Sequence, residues 1–329
     1  MLPLPLFRHC QPTTLDEAVA LLKRHGSEAT LIAGGTDLLP NMKHGLAEPK
    51  VLVSLKRVAS LSGIHVDAGT LRIGAMTTLD ELSLDPRVLE HLPALAQAAG
   101  AVGGPHHRRM GTLGGNVCLD TRCRYYNQTW FWRNALGYCL KKDGTVCHVV
   151  PGGQRCVAAA SNDTAPAILA LGGTLSLVGP KGERTIAARE FYTADGVSNT
   201  VRESDEIVTA VTLPLASGRR SAFEKLRLRQ SIDYPLLSVA VAVHEEGGRV
   251  RQIHAVVSAL AARPRVLAAT RHVPADALLQ GPWVRALLDA ATKECRPLTN
   301  IDVDPAWRQQ MVGVVLGRAL ERVGVITDR

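Results

Sequence analysis

The sequence lacks the features that mark a membrane or exported protein. Aromatic residues make up only 4% of the 329 residues. No apolar run reaches the roughly 18–20 residues that a membrane-spanning helix needs. Residues 1–10 contain no basic region followed by an apolar region and a small-residue cleavage site. We therefore expect a cytoplasmic protein with no membrane contact, folded into two or three domains.

Basic residues exceed acidic ones, but they are not concentrated. The chain has 38 Lys and Arg against 30 Asp and Glu, a formal net charge of +8. The basic clusters are short, at residues 106–109, 141–142 and 219–220, and no basic helix or RNA-binding motif is present. This distribution argues against a nucleic-acid partner and favours an acidic partner protein or an anionic cofactor.

Cysteine is the first specific signal. Five of the seven cysteines fall between Cys118 and Cys156, in a segment that also holds six of the thirteen aromatic residues. A reducing compartment makes metal or iron-sulfur ligation a better explanation than disulfides. Zinc sites usually use closely paired cysteines, and the nearest pair here, Cys118 and Cys123, has four residues between its members. Spacing therefore favours an iron-sulfur cluster, with zinc or unligated core thiols as alternatives.

Two glycine-rich turns follow apolar segments. We call residues 31–38 (LIAGGTDL) the first glycine segment and residues 111–116 (GTLGGN) the second. Backbone N–H groups in such turns bind anions, and the missing side chains let a pyrophosphate approach, although either turn alone is a weak signal. The chain contains neither G-x-G-x-x-G nor G-x-x-x-x-G-K-[ST], which disfavours Rossmann and P-loop folds. Together with the cysteines, the two segments predict a dinucleotide redox cofactor in another fold.

Local patterns predict three structural units. The sequences TLDE at 14–17 and 78–81 are capping boxes that begin helices, and strands are expected at 221–229, 236–245 and 249–259. Residues 119–157, the cysteine insert, show no sustained periodicity and are predicted to be an inserted loop. The predicted domains are residues 1–58, residues 59–217 with the cysteine insert inside them, and residues 218–329.

The order of these motifs resembles a known family. The first glycine segment, TLGGN at 112–116, Asn162-Asp163 and the apolar strand from Ile207 resemble the FAD-binding medium subunits of the xanthine oxidase and carbon monoxide dehydrogenase family, nearly end to end. The cysteine insert is similar to that of one branch, the 4-hydroxybenzoyl-CoA reductase beta subunits. The resemblance implies an α+β protein: a PCMH-type (VAO-like) FAD-binding fold of two subdomains with an inserted iron-sulfur loop, and a C-terminal domain of antiparallel sheet and helices.

The resemblance also implies cofactor contacts. The pyrophosphate would be wrapped by Leu31, Ile32, Ala33, Gly34, Gly35, Thr36, Asp37 and Leu38. The ribityl chain and the other side of the pyrophosphate would meet Gly111, Thr112, Gly115 and Asn116, preceded on the same wall by Val102, Gly103 and His107. Asp163 would bind the adenosine ribose or an adjacent group, Ile207 or Val208 would pack on the isoalloxazine, and Lys225 would lie near its pyrimidine edge. Without the resemblance, the sequence predicts that Lys225 is a solvent-exposed lysine on a strand. Cys123, Cys139, Cys147 and Cys156 would hold one four-iron four-sulfur (4Fe-4S) cluster, with Cys118 left out.

The implied function is electron relay. The complex would include a large molybdopterin-molybdenum subunit and a small subunit with 2Fe-2S clusters, as a dimer of heterotrimers, with ferredoxin as electron donor. Electrons would pass through the 4Fe-4S cluster and FAD towards molybdenum, where an aromatic CoA thioester loses its hydroxyl group. The alternatives are a relay subunit of an oxidative molybdenum hydroxylase and, more remotely, a zinc-stapled scaffold.

Overall fold

The computed structural model describes residues 2–326, so residues 1 and 327–329, the outer ends of the first and last predicted domains, lie outside the described residues. The first unit contains a three-stranded parallel sheet in the order β1-β3-β2. Its elements are β1 (Arg8–Cys10), α1 (Leu15–His25), β2 (Ala29–Ile32), α2 (Leu38–Lys43) and β3 (Val51–Ser54). The short strands and intervening helices place the end of β2 at the start of the first glycine segment.

Helix α1 forms where the sequence predicts it. The Thr14 hydroxyl accepts from the Glu17 N–H at 3.2 Å, and the Glu17 carboxylate accepts in return from the Thr14 N–H at 3.3 Å. Ala18 and Leu22 are buried in the core of this unit. Gly26, at φ +50°, ends the helix in a conformation that favours glycine.

The second unit is built on an antiparallel sheet of five strands in the order β4-β5-β8-β6-β7. Its strands are β4 (Ile64–Asp67), β5 (Thr70–Gly74), β6 (Thr174–Gly179), β7 (Gly182–Ala187) and β8 (Ile207–Pro214). Its helices are α3 (Leu79–Leu84), α4 (Pro86–His91), α5 (Pro93–Gly100), α6 (Pro105–Met110), α7 (Leu113–Val117), α8 (Trp130–Ala135), α9 (Thr164–Ala170) and α10 (Ala188–Phe191). Helices and sheet share one large apolar core.

The third unit packs two helices on a second antiparallel sheet, ordered β12-β11-β10-β9 with β13 paired to β11. Its elements are β9 (Arg219–Leu226), β10 (Leu237–Glu246), β11 (Arg249–Ser258), β12 (Arg265–Val266), β13 (Ala277–Leu278), α11 (Trp283–Glu294) and α12 (Pro305–Arg322). The predicted α+β class with a C-terminal domain of sheet and helices is confirmed. Each sheet lies within one predicted domain, while the domain boundaries themselves stay a prediction.

Three local predictions need correction. The strand expected at 221–229 ends at Leu226, because residues 227–236 leave the sheet as a loop. The second glycine segment is not all loop: Thr112 caps α7 by accepting from the Gly115 N–H at 3.1 Å. The cysteine insert is mostly irregular but contains α8, capped by Thr129. Both helices are too short for a periodic signal.

Among the helices of residues 2–326, none is long and apolar enough to cross a membrane.

Candidate functional site

A cavity of about 570 Å³ lies where the two glycine segments, strand β8 and the third unit meet. This volume is within the roughly 300–1,000 Å³ range of pockets that hold small molecules and cofactors. Every residue predicted to contact the flavin lines the cavity. The fold therefore brings together residues that are widely separated in the sequence.

The two glycine segments cross with their backbones in direct contact. A Cβ atom built on Gly34 would lie 1.8 Å from the carbonyl oxygen of Met110 and 2.9 Å from the Cα of Gly111. Only glycine allows this approach. Gly35 adopts φ +70°, in the left-handed region, and so turns the chain from β2 into α2. Both segments line the cavity, and their glycines place no side chain between the backbone and a pyrophosphate.

Hydrogen bonds attach the second glycine segment to neighbouring elements of the fold. The Gly114 N–H donates to the carbonyl of Ala75 at 2.8 Å, and a Cβ on Gly114 would lie 2.7 Å from the Ala75 Cβ. The Asn116 side chain accepts from the backbone N–H of Thr164 at 3.0 Å and from its hydroxyl at 2.6 Å. These bonds anchor the cavity wall to α9 and to the end of β5.

Asp163 and Lys225 form a buried ion pair in the cavity wall. Lys225 Nζ lies 2.6 Å from Asp163 Oδ2, both side chains are 4% exposed, and Nζ also donates to the carbonyl of Ala101 at 3.1 Å. Burial raises the pKa of Asp163 to about 6, and the Lys225 charge opposes this rise. Asp163 Oδ1 is buried without a hydrogen-bond partner, so it can accept from a polar group of a ligand.

This pair corrects one expectation. Lys225 is not a solvated strand lysine, because its ammonium group is buried against Asp163 in the cavity wall. The charged atoms of the two residues are 2.6 Å apart, so both stand at one place in that wall. Which part of a cofactor each contacts stays a prediction.

The sequence does not predict two residues that contact Asp37 of the cavity, Arg122 and Tyr234. Arg122 pairs with the Asp37 carboxylate, and its guanidinium lies over the Tyr234 ring, 4.7 Å from the centroid. Tyr234 donates to Asp37 Oδ1 at 3.2 Å. The contact joins the first glycine segment, the cysteine insert and the loop after β9. Arg122 and Tyr234 stand in irregular segments with no motif, so only their position identifies them.

The five cysteines of residues 118–156 separate into one group of four and one exception. Burial raises the pKa of Cys123 to about 11, and the nearby thiols of Cys156 and Cys139 add to the rise. Burial also raises the pKa of Cys156, with further contributions from Cys139 and Cys147. These four thiols are therefore electrostatic neighbours. Cys118 instead lines the cavity, where burial raises its pKa and the charge of Arg202 opposes the rise.

Backbone N–H groups point at sulfur atoms in this group. The Val150 N–H donates to Cys147 Sγ at 3.5 Å, and the Ala158 N–H donates to Cys156 Sγ at 3.5 Å. Such bonds stabilise thiolate ligands. In residues 2–326 no three or more His, Cys, Asp or Glu side chains are close enough to hold a single metal ion.

The fold and the cavity define a two-part flavoprotein scaffold, and comparisons with known proteins identify it. The FAD binding domain in molybdopterin dehydrogenase matches residues 5–216, and the CO dehydrogenase flavoprotein C-terminal domain matches residues 221–323. The chain therefore belongs to the FAD-binding subunits of the molybdenum hydroxylase family, the family of xanthine oxidase and CO dehydrogenase. It is an oxidoreductase subunit that binds FAD and relays electrons.

Individual relatives agree with this assignment. The chain is 30% identical over 321 residues to the carbon monoxide dehydrogenase medium chain of Hydrogenophaga pseudoflava, covering 97% of each chain. It is 33% identical over 233 residues to the aldehyde oxidoreductase FAD-binding subunit PaoB of Escherichia coli, covering 68% of this chain and 73% of that one. A solved structure of CO dehydrogenase from Hydrogenophaga pseudoflava superposes with a TM-score of 0.81 at 30% identity, covering 98% of this chain and 99% of that one.

Proposed function

We propose that this chain relays electrons between a 4Fe-4S cluster held by Cys123, Cys139, Cys147 and Cys156 and FAD held in the cavity. The observation that carries the proposal is that Cys123 and Cys139 pack in one cluster with Tyr126, which lines the cavity, while Cys139, Cys147 and Cys156 lie near enough to interact electrostatically. When bound, the cluster supplies one-electron transfer and the flavin exchanges one or two electrons. The protein holds the two groups near each other and keeps water from them.

The cavity residues fit FAD. The glycines of the two crossing segments line the cavity without side chains, and Asp163 Oδ1, in the cavity wall, is an acceptor with no partner. We propose that Ile207 and Val208 pack on the isoalloxazine and that the Lys225 ammonium stabilises negative charge on the reduced ring. The Asp163–Lys225 pair then faces that same end of the cofactor.

The insert suggests a partner for the cluster. In residues 119–157 the side chains of Arg124 and Arg155 are exposed and that of Lys142 is partly exposed, and Trp130 and Phe131 on α8 are 56% and 76% exposed. A basic surface with exposed aromatic side chains fits an acidic electron carrier such as ferredoxin. All seven cysteines are free, which is consistent with a reducing cytoplasm.

We propose that the remaining partners are a large molybdopterin subunit and a small 2Fe-2S subunit, assembled as a dimer of heterotrimers. The cysteine insert favours a complex that resembles 4-hydroxybenzoyl-CoA reductase, in which electrons flow from ferredoxin to the substrate. Reductive removal of a ring hydroxyl needs a strong reductant, which gives an additional cluster a purpose.

A second candidate is relay in the oxidative direction. The named relatives include a carbon monoxide dehydrogenase and an aldehyde oxidoreductase, whose substrates are oxidised. The same residues would then pass electrons outwards from the flavin. The direction of electron flow depends on the whole complex and on its electron donor or acceptor.

Anaerobic purification of the complex with its partners tests both proposals. Flavin, iron, acid-labile sulfide, zinc and molybdenum are quantified, and stepwise reduction is followed by EPR. We expect four more irons per protomer than the 2Fe-2S clusters account for, together with a 4Fe-4S signal. Zinc, or no metal, in the insert would refute the cluster. Reduction of an aromatic acyl-CoA by reduced ferredoxin supports the reductase, whereas oxidation of substrate with ferredoxin or a quinone as acceptor supports the second candidate.

A further inference from the structure

Lys141 is a buried cation inside the cysteine insert. Its side chain is 5% exposed, and Nζ donates to Asp120 Oδ1 at 2.7 Å, to the Thr121 hydroxyl at 2.9 Å and to the carbonyl of Gly196 at 2.5 Å. Lysine is almost never buried unless it is paired. Three acceptors around one ammonium group therefore fix its position, and the charge cannot move away by rotation of the side chain.

Lys141 is a neighbour of the cysteine group. Its Nζ lies 4.8 Å from the centroid of the Tyr126 ring, and that ring packs with Cys139 and Cys123 in one buried cluster. Gly196, whose carbonyl accepts from Lys141, donates its N–H to the carbonyl of Cys156 at 2.8 Å, and a Cβ built on Gly196 would lie 2.8 Å from Cys156 Sγ. The ammonium group thus acts electrostatically on the proposed cluster site.

The same group of residues reaches the flavin cavity. Asp120 and Tyr126 both line the cavity. Burial raises the pKa of the Tyr126 phenol above its ordinary range, and the nearby Asp120 carboxylate adds to the rise. Asp120, Tyr126 and Lys141 therefore form a continuous contact between the cysteines and the cavity, with the positive charge on the cysteine side.

We propose that Lys141 is a positioning residue that sets the reduction potential of the insert's cluster through a positive charge fixed beside Cys156 and above Tyr126. The inference rests on the proposed function, because it requires the cluster. On reduction the site gains one electron, the donor loses one, and no bond or proton changes. A fixed positive charge stabilises the more negative reduced form and so raises the potential.

Lys142 provides a matched control. It is the next residue, carries the same charge and pairs with Asp143, but its side chain is 33% exposed and that of Asp143 is 45% exposed. Water and salt screen an exposed charge much more than a buried one. Removing Lys142 therefore tests the loss of a lysine from the insert without the loss of the buried charge.

The experiment is an anaerobic redox titration of the purified complex, followed by the EPR signal of the 4Fe-4S cluster. For Lys141→Met we expect the equilibrium constant for one-electron reduction to fall at least tenfold, a negative shift of about 59 mV in midpoint potential. Lys142→Met should change the constant less than twofold. Asp120→Asn removes the carboxylate that offsets the Lys141 charge and should shift the potential in the positive direction.

The outcomes separate the two proposals. A wild-type complex without a 4Fe-4S signal refutes the proposed function. A wild-type cluster whose potential is the same in Lys141→Met, or is lowered equally by Lys142→Met, refutes the role of Lys141 alone. If Lys141→Met fails to retain iron, Asp120→Asn decides: a positive shift supports the role, and an unchanged potential overturns it.

Discussion

Replacing Gly34 by alanine should separate the two glycine segments and release FAD. The added Cβ would lie 1.8 Å from the carbonyl oxygen of Met110, whereas real Cβ atoms do not approach closer than 3.0 Å. The backbones must therefore part by at least about 1.2 Å, and overpacking of this kind costs about 1–3 kcal/mol. Because the obstacle is backbone and not a flexible side chain, rotation cannot relieve it. We expect FAD affinity to fall at least tenfold, about 1.4 kcal/mol.

The assay for Gly34→Ala is flavin content after purification, followed by titration of apoprotein with FAD and by chemical unfolding. Gly317→Ala is the matched control: Gly317 lies inside α12, and its Cβ would meet Leu288 Cδ1 at an ordinary 3.6 Å. Alanine there should keep FAD and add up to about 1 kcal/mol of stability. Retention of FAD with unchanged affinity in Gly34→Ala would refute the close crossing of the two segments.

Three further predictions concern side chains. Lys225→Met leaves the Asp163 carboxyl buried without its partner and should destabilise the apoprotein by up to about 3–5 kcal/mol. The double variant with Asp163→Asn should recover part of this loss. If the losses of the two single variants are additive in urea unfolding, the two residues do not act as a pair. Burial raises the pKa of Asp163 to about 6, so between pH about 4 and 6 the folded protein keeps the Asp163 proton that the unfolded chain has lost. The contribution of this proton to the free energy of unfolding is therefore complete below pH about 4 and is lost as the pH rises through 6. From pH 4 to 7 the free energy of unfolding of the apoprotein should fall less steeply in Asp163→Asn than in the wild type. Equal slopes would contradict the raised pKa of Asp163. Cys139→Ser should lower the iron content and slow electron transfer from donor to flavin, whereas Cys118→Ser should leave iron unchanged; equal loss of iron in both would show that Cys118 is a ligand.

Local signals in the sequence predict much of the fold. The capping box at Thr14 defines α1, and the alternating apolar pattern after residue 218 defines the antiparallel strands of the third unit. These signals succeed because caps and strand periodicity depend on residues a few positions apart. The helices α7 and α8 are missed for the same reason: each spans little more than one turn.

Part of the list of cavity residues could also be predicted, but not their pairing. The glycine segments carry recognisable turn chemistry, and the family resemblance adds Asp163 and Lys225. That these two side chains form one ion pair depends on the packing of α9 against the sheet that contains β9, because the two residues are 62 positions apart in the chain.

What the sequence determined by itself is therefore the presence of an anion-binding pair of glycine turns and of a cysteine-rich insert. Only the tertiary structure decided that Arg122 and Tyr234 meet at Asp37, that Cys118 belongs to the cavity, and that Lys141 stands beside the other cysteines. The physical reason is that these contacts join irregular segments from different units. Such segments have no periodicity, and their side chains are placed by the packing of sheets and helices far away in the sequence.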